Sequence, residues 1–220
     1  MKRNQSGFTL IEIAIVLVII GLLLGGVLKG QELINSAKVK NLATDFKNIP
    51  VFIYGYQDKY KALPGDDSSA VTHLPVNTNI LVTPGNGSGI IDGAWNATTG
   101  ESYNFWQHVR LAGFAPGSID TANITGDYIP KNTVGGAIGV TNSLVSPAGN
   151  TPITGLKGTY VVCSDSISGK FAKQLDTLLD DGNTATGSMM VIPTGTAAPG
   201  TATATAAIVD DQPYLVCMGY

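Results

Sequence analysis

Two histidines, His73 and His108, two cysteines, Cys163 and Cys217, and 16 acidic side chains supply most of the reactive groups in this chain of 220 residues. A nucleophilic or metal-hydrolytic centre needs these types at defined spacings, and the chain has neither a G-x-S-x-G elbow nor a close histidine pair. His108, two positions after Trp106, reads as a helix-packing residue. The carboxylates offer more. Asp66 with Asp67, and Asp180 with Asp181, could hold calcium together with carbonyl oxygens, although neither pair follows the EF-hand spacing. Asp180 and Asp181 are the weak calcium candidates. They also read as a helix end, because a segment with Phe171, Leu175, Leu178 and Leu179 precedes them and Gly182 follows. The stretch "GNGSGIIDG", residues 85–93, lacks the Lys-Ser/Thr of a phosphate loop and the dinucleotide spacing of glycines, so it reads as a surface loop.

One further carboxylate sits where chemistry is costly. Glu12 lies inside an apolar run from Phe8 to Leu28, which as an α-helix would extend about 32 Å, enough for a hydrocarbon core of roughly 30 Å. A carboxylate at the centre of such a span costs about 2.5 to 3.5 kcal/mol, and less near its end. Lys2 and Arg3 precede the run and no acidic residue does so before Glu12, which predicts a cytoplasmic amino-terminal arm and an exported remainder. The residues after the run, Gly25 to Lys29, show no A-x-A site, so a cleaved secretory signal is disfavoured. Any role for Glu12 must offset its transfer cost.

The order of these residues is specific: a short basic leader, Gly7, then Phe8-Thr9-Leu10-Ile11-Glu12 and unbroken apolar helix. It resembles the prepilin signal of type IV pilins and type II secretion pseudopilins. The resemblance implies cleavage between Gly7 and Phe8 by prepilin peptidase, N-methylation of Phe8, and assembly into a filament driven by an assembly ATPase and platform proteins. Glu12 would then receive the Phe8 ammonium of an incoming subunit and set axial register, or interact with the amino end of its own helix. Lys29 stands where many type IV pilins carry a proline, which removes the expectation of a kink at membrane level.

The remainder fits an exported domain. Net charge is −3, and loss of Lys2 and Arg3 makes it −5, which argues against nucleic acid as the main ligand. Gly (27) and Pro (11) are frequent enough to limit helix beyond the first. Cys163 and Cys217 both lie in the exported part, where a disulfide persists; the bond closes a loop of about 55 residues, worth roughly 4 kcal/mol in the chain-entropy model. Many pilins carry such a bond near the carboxy terminus, and it favours a pilus over a secretion filament.

Leu33, Ile34, Ala37, Leu42, Ala43 and Phe46 form an apolar stripe that continues the first helix as a solvated rod, with Pro50 expected to bend or interrupt it near Ile49. Phe52, Tyr54, Tyr56 and Tyr60 resume it. "ALPGDDSSA", residues 62–70, predicts a turn at Pro64 and Gly65, with Asp66 or Asp67 capping a short helix. Residues 101–114 predict a helix presenting Phe105, Trp106, Val109 and Gly113 to the rod. Both segments resemble pieces of pilin-like proteins. Strands are expected near 158–164, 188–193 and 213–218, and residues 194–207 as an exposed loop.

The expected fold is therefore α+β: a leader at 1–7, a membrane half-helix at 8–28, its periplasmic continuation at 29–61, and a globular pilin-like domain at 62–220 with an antiparallel sheet. The expected function is that of a structural subunit, major or minor, of a type IV pilus-like filament, resident in the inner membrane with its carboxy terminus outside before assembly. No cofactor is expected, and the partners are other pilins, the peptidase and the assembly machinery. A type II secretion pseudopilin is the alternative within the family. A membrane-anchored enzyme or binding domain is the alternative from another class, and the scarcity of histidine weighs against it.

Overall fold

The computed structural model describes residues 9–75, 81–122, 128–143 and 152–220. Helix α1 runs over Leu10–Tyr60, followed by the single turn α2 (Ala70–His73), α3 (Glu101–Leu111), β1 (Ile138–Thr141), β2 (Val161–Ser168), α4 (Gly169–Leu179), β3 (Met189–Pro193) and β4 (Pro213–Gly219). Backbone contacts divide the chain into two units, Met1–Lys40 and Asn41–Tyr220. The layout is α+β and pilin-like: a long apolar amino-terminal helix and a four-stranded antiparallel sheet.

The first unit carries the membrane-length part of α1, whose most apolar window has a mean hydropathy of 2.8 and no buried residue. Leu10 is 92 % exposed and Leu22 74 %, and the same holds all round the helix. A helix apolar on every face needs lipid or other helices around it, not water. The apolar stripe on its continuation divides: Leu33 and Ile34 are exposed, whereas Leu42, Ala43 and Phe46 are buried. Spacing alone did not mark that boundary.

In the second unit the strands order β1-β2-β4-β3, every neighbour antiparallel. Val161 to Ser164 of β2 and Tyr214 to Cys217 of β4 are buried on both faces, which is why these strands read as continuous apolar runs without alternation. One face holds Ile153, Leu156, Cys163, Met190, Ile192, Leu215 and Cys217, with Trp95 and Ala202 packed against it. Strand β1 was not foreseen. Its four residues "IGVT" include Gly139, and only glycine fits there, since a Cβ would stand 1.8 Å from the Trp95 carbonyl oxygen. Strand β2 carries a bulge between Ser164 and Ile167, with Ser166 at a φ of 58°.

Pro50 does not interrupt α1, contrary to expectation; the helix passes through it to Tyr60. The missing amide proton leaves the carbonyl of Phe46 without its helical donor, and the Tyr220 hydroxyl supplies one at 2.6 Å. Tyr160 stacks on Tyr220 with centroids 5.4 Å apart and meets Tyr54 edge-on at 6.4 Å. The sheet and the helix thus share an aromatic seam.

The helix of residues 101–111 is also buried more widely than one apolar face allows. Every residue from Glu101 to Arg110 is buried. Its polar side chains find loop carbonyls: Gln107 donates to Leu81 and Ile119, and Arg110 to Pro116, Ser118 and Tyr128. Satisfied donors make all-round burial affordable in free energy. His108, which is not among the four residues expected to face the rod, meets it: its ring stacks on Tyr56 at 6.1 Å.

Candidate functional site

The first turn of α1 places Glu12 three residues after Thr9, which precedes the helix. A Glu12 carboxylate oxygen accepts the Thr9 N–H at 2.8 Å and the Thr9 hydroxyl at 2.7 Å, while the Glu12 N–H donates to the Thr9 hydroxyl oxygen at 3.3 Å. This is a reciprocal capping box, in which T-x-x-E satisfies two amide donors that a helix start leaves open. The same motif was legible in "TLIE" and went unread. It gives Glu12 an intrachain partner and a favourable place at the positive end of the helix dipole. Gly7 and Phe8, the expected cleavage and methylation residues, lie outside the described residues.

Four glycines of α1, at 21, 25, 26 and 30, have nothing within 4 Å of where a Cβ would stand. They form two G-x-x-x-G pairs. Such pairs let helix backbones approach closely in a membrane or a helical bundle.

In the second unit, two carboxylates from outside the loop of residues 82–99 organise it. Asp66 accepts the N–H groups of Ser88 at 2.8 Å and Gly89 at 2.7 Å. Glu101 accepts those of Asn86 and Asp92, both at 2.9 Å. The glycine-rich stretch is therefore anchored at both ends of its run and is not a free surface loop. Gly85 is required by the approach, because a Cβ would lie 2.3 Å from the Asp66 carbonyl carbon. The expected cap at Asp66 or Asp67 is not formed: α2 starts after Ser69 with no side-chain cap, and Asp67 accepts the Ser69 N–H instead.

Asp67 also accepts the Tyr56 hydroxyl and bonds His73 Nδ1, each at 2.7 Å. Burial alone pushes its carboxyl up, but the bonds from His73, Tyr56 and Ser69 together outweigh burial and hold it below the usual value. The ionised acceptor requires His73 to donate from Nδ1. His108 is fixed oppositely: its Nδ1 accepts the Gly65 N–H at 2.9 Å, so Nε2 carries the proton and donates to the Thr83 carbonyl at 3.0 Å. Burial depresses its pKa, and the ring is neutral. Both histidines have structural partners.

Cys163 and Cys217 stand directly opposite on β2 and β4 and are disulfide-bonded, with Cα atoms 4.1 Å apart. Asp180 follows α4 and accepts the Met189 N–H, while Asp181 accepts the Asn183 N–H and the Thr186 hydroxyl. Asp176, which sequence reasoning passed over, joins them: one oxygen from each of the three carboxylates lies within 4.8 Å of the others. The i, i+4, i+5 spacing from a helix into its terminating loop was the available signal.

Comparison with known proteins adds one finding at the amino terminus. Residues 2–28 match the family model of the prokaryotic N-terminal methylation motif. No curated protein and no solved structure matches the chain.

Proposed function

We infer from that match, together with the α+β layout, that the chain is a type IV pilin or pseudopilin-like protein. We propose that this chain is a structural subunit, major or minor, of a bacterial type IV pilus-like filament. Prepilin peptidase would cut between Gly7 and Phe8 and methylate Phe8; the subunit would then wait in the inner membrane with residues 29–220 outside. The observation that carries this reading is the continuity of the matched motif with an α1 segment exposed and apolar on every side. Such a surface is satisfied twice, by lipid before assembly and by neighbouring helices afterwards, where the paired glycines permit close approach. The globular unit would form the exterior, and the activity is polymerisation.

The test is to shear filaments from cells that produce the chain and to measure intact mass. The expected species starts at Phe8 and carries one added methyl group. Retention of residues 1–7 in assembled material, or absence of the chain from any filament fraction, overturns the proposal. Loss of protein secretion without loss of surface filaments, on deletion, would assign it to a type II secretion filament instead.

A further inference from the structure

A cavity of about 190 Å³ opens between α1, α3 and the chain leading into β1. Helix α1 contributes Asp45 and Phe52 to its wall, α3 contributes Trp106 and Arg110, and the β1 side contributes Lys131 and Ile138. All six lie in the second unit. The volume equals that of roughly six waters and falls below the roughly 300 to 1,000 Å³ of sites for drug-sized ligands. The occupant it suits is a small molecule.

Three of these side chains are charged, and among the described residues none of the ion pairs includes them. Asp45 is half-buried, and burial alone pushes its carboxyl up to about 6, with no cation near enough to bring it back. The Arg110 guanidinium is buried and held rigidly. Its Nε donates to the Pro116 carbonyl at 3.0 Å and its Nη1 to those of Ser118 and Tyr128 at 2.7 and 2.6 Å, while the group lies over the Trp106 and Tyr128 rings at 5.5 and 5.2 Å. All these partners are neutral. Among the described residues no acceptor meets Nη2, which keeps its two donors. A buried charge without a counter-charge is costly, and here one of each sign lines one cavity without relieving the other.

An amine alone would answer Asp45 but add a cation to a wall that already holds Arg110 and Lys131. A carboxylate alone would answer those two and leave Asp45 unpaired. A molecule that carries both charges answers both demands, and since Asp45 and Arg110 do not pair across the cavity, its charges must stand apart. We propose that the cavity binds a linear zwitterion of the ω-amino acid class, its ammonium held by Asp45 and its carboxylate by Arg110 together with Lys131. The planar guanidinium suits a carboxylate, and its fixed position means that little freedom is lost on binding. The methylenes of such a ligand leave water for Phe52, Trp106 and Ile138.

The experiment uses the full chain in nonionic detergent at about pH 7.5, where Asp45 is ionised, and does not depend on whether the chain forms filaments. The probes are γ-aminobutyrate, δ-aminovalerate and ε-aminocaproate. At about 10 mM the best of them should raise the thermal midpoint by roughly 5 °C, with a one-site heat of binding and a Kd on the order of 0.1 mM. Valerate and n-pentylamine, each with one charge, should give less than a fifth of that shift at equal ionic strength. Asp45→Asn keeps the shape, removes a buried charge and so leaves the fold intact, and should weaken binding at least tenfold. Lys131→Gln, at an exposed position, should weaken it several-fold, whereas Asp58→Asn, elsewhere on α1, should bind as the parent does. No response to any of the three probes, an equal response to valerate or n-pentylamine, or undiminished binding by Asp45→Asn each overturns the proposal.

Discussion

The Tyr220 hydroxyl donates to the Phe46 carbonyl across 174 positions of sequence, at 2.6 Å, and that carbonyl is the one Pro50 leaves without a helical donor. A proline inside a helix costs about 3 kcal/mol, in part through the unpaired carbonyl. Here a residue following β4 restores the bond, so the proline ties the sheet to α1 as well as weakening the helix locally.

Tyr220→Phe should therefore destabilise the globular unit by about 1 to 2 kcal/mol, the cost of leaving a partly buried acceptor unpaired. Pro50→Ala returns an amide donor to Phe46, so in that background the cost of Tyr220→Phe should fall by roughly 1 kcal/mol. Urea unfolding of the two single variants and the double variant gives the coupling. Strictly additive costs would show that Tyr220 acts through ring packing on Tyr160 alone.

Cys163 and Cys217 are cross-strand partners in the centre of the sheet, both fully buried. Replacing both by serine should cost roughly 2 to 5 kcal/mol of domain stability and leave membrane insertion of α1 unchanged. The check pairs unfolding midpoints with membrane fractionation. A variant as stable as the parent in reducing and non-reducing buffer would show that the bond adds nothing to stability.

His108 gives a pH dependence with a definite sign. Its folded pKa lies below the ordinary 6.5 because burial disfavours the imidazolium, and protonation at Nδ1 would oppose the Gly65 N–H. Between the two values the unfolded chain binds a proton that the folded chain does not. The contribution of His108 is thus complete above the unfolded value and is lost as pH falls through the folded one. Asp45 works in the opposite sense: burial raises its carboxyl to about 6 from 3.8, so its ionisation weakens the fold as pH rises. The residue-specific readout is an NMR titration, in which the His108 ring should remain neutral at pH 6.5. A midpoint at or above the ordinary value would contradict the burial argument.

What the sequence disclosed follows from how local each interaction is. The apolar run, the strands around Val162, Val191 and Val216, and the helix at residues 101–111 are written in consecutive side chains, and all were legible. The persistence of α1 through Pro50 was not, because the compensating donor lies at Tyr220. The anchoring of residues 85–93 was missed for the same reason: Asp66 and Glu101 reach it from outside, and glycines by themselves read as freedom. Asp176 sits in an amphipathic helical pattern where a single aspartate passes as a solvated residue. Only the fold shows that it faces inward.

The capping box changes what a test of Glu12 must separate. Thr9 and Glu12 satisfy each other within one chain, so loss of the carboxylate removes a cap worth about 1 kcal/mol as well as any partner for a neighbouring ammonium. Thr9→Ala removes the hydroxyl but keeps the carboxylate and the N–H of position 9 that meets it, and it should reduce filament yield only modestly if charge pairing between subunits is the main role. Glu12→Leu should insert at least as well as the parent, because the transfer cost disappears, yet give processed subunit in the inner membrane and none in sheared filaments. Glu12→Gln retains an acceptor for the Thr9 N–H and loses the charge. Its behaviour therefore decides: failure to assemble assigns Glu12 to intersubunit pairing, and near-normal filaments assign it to the cap. Equal loss of filaments from Thr9→Ala and Glu12→Leu, with Glu12→Gln unaffected, would show that the helix start, and not the charge, is what assembly requires.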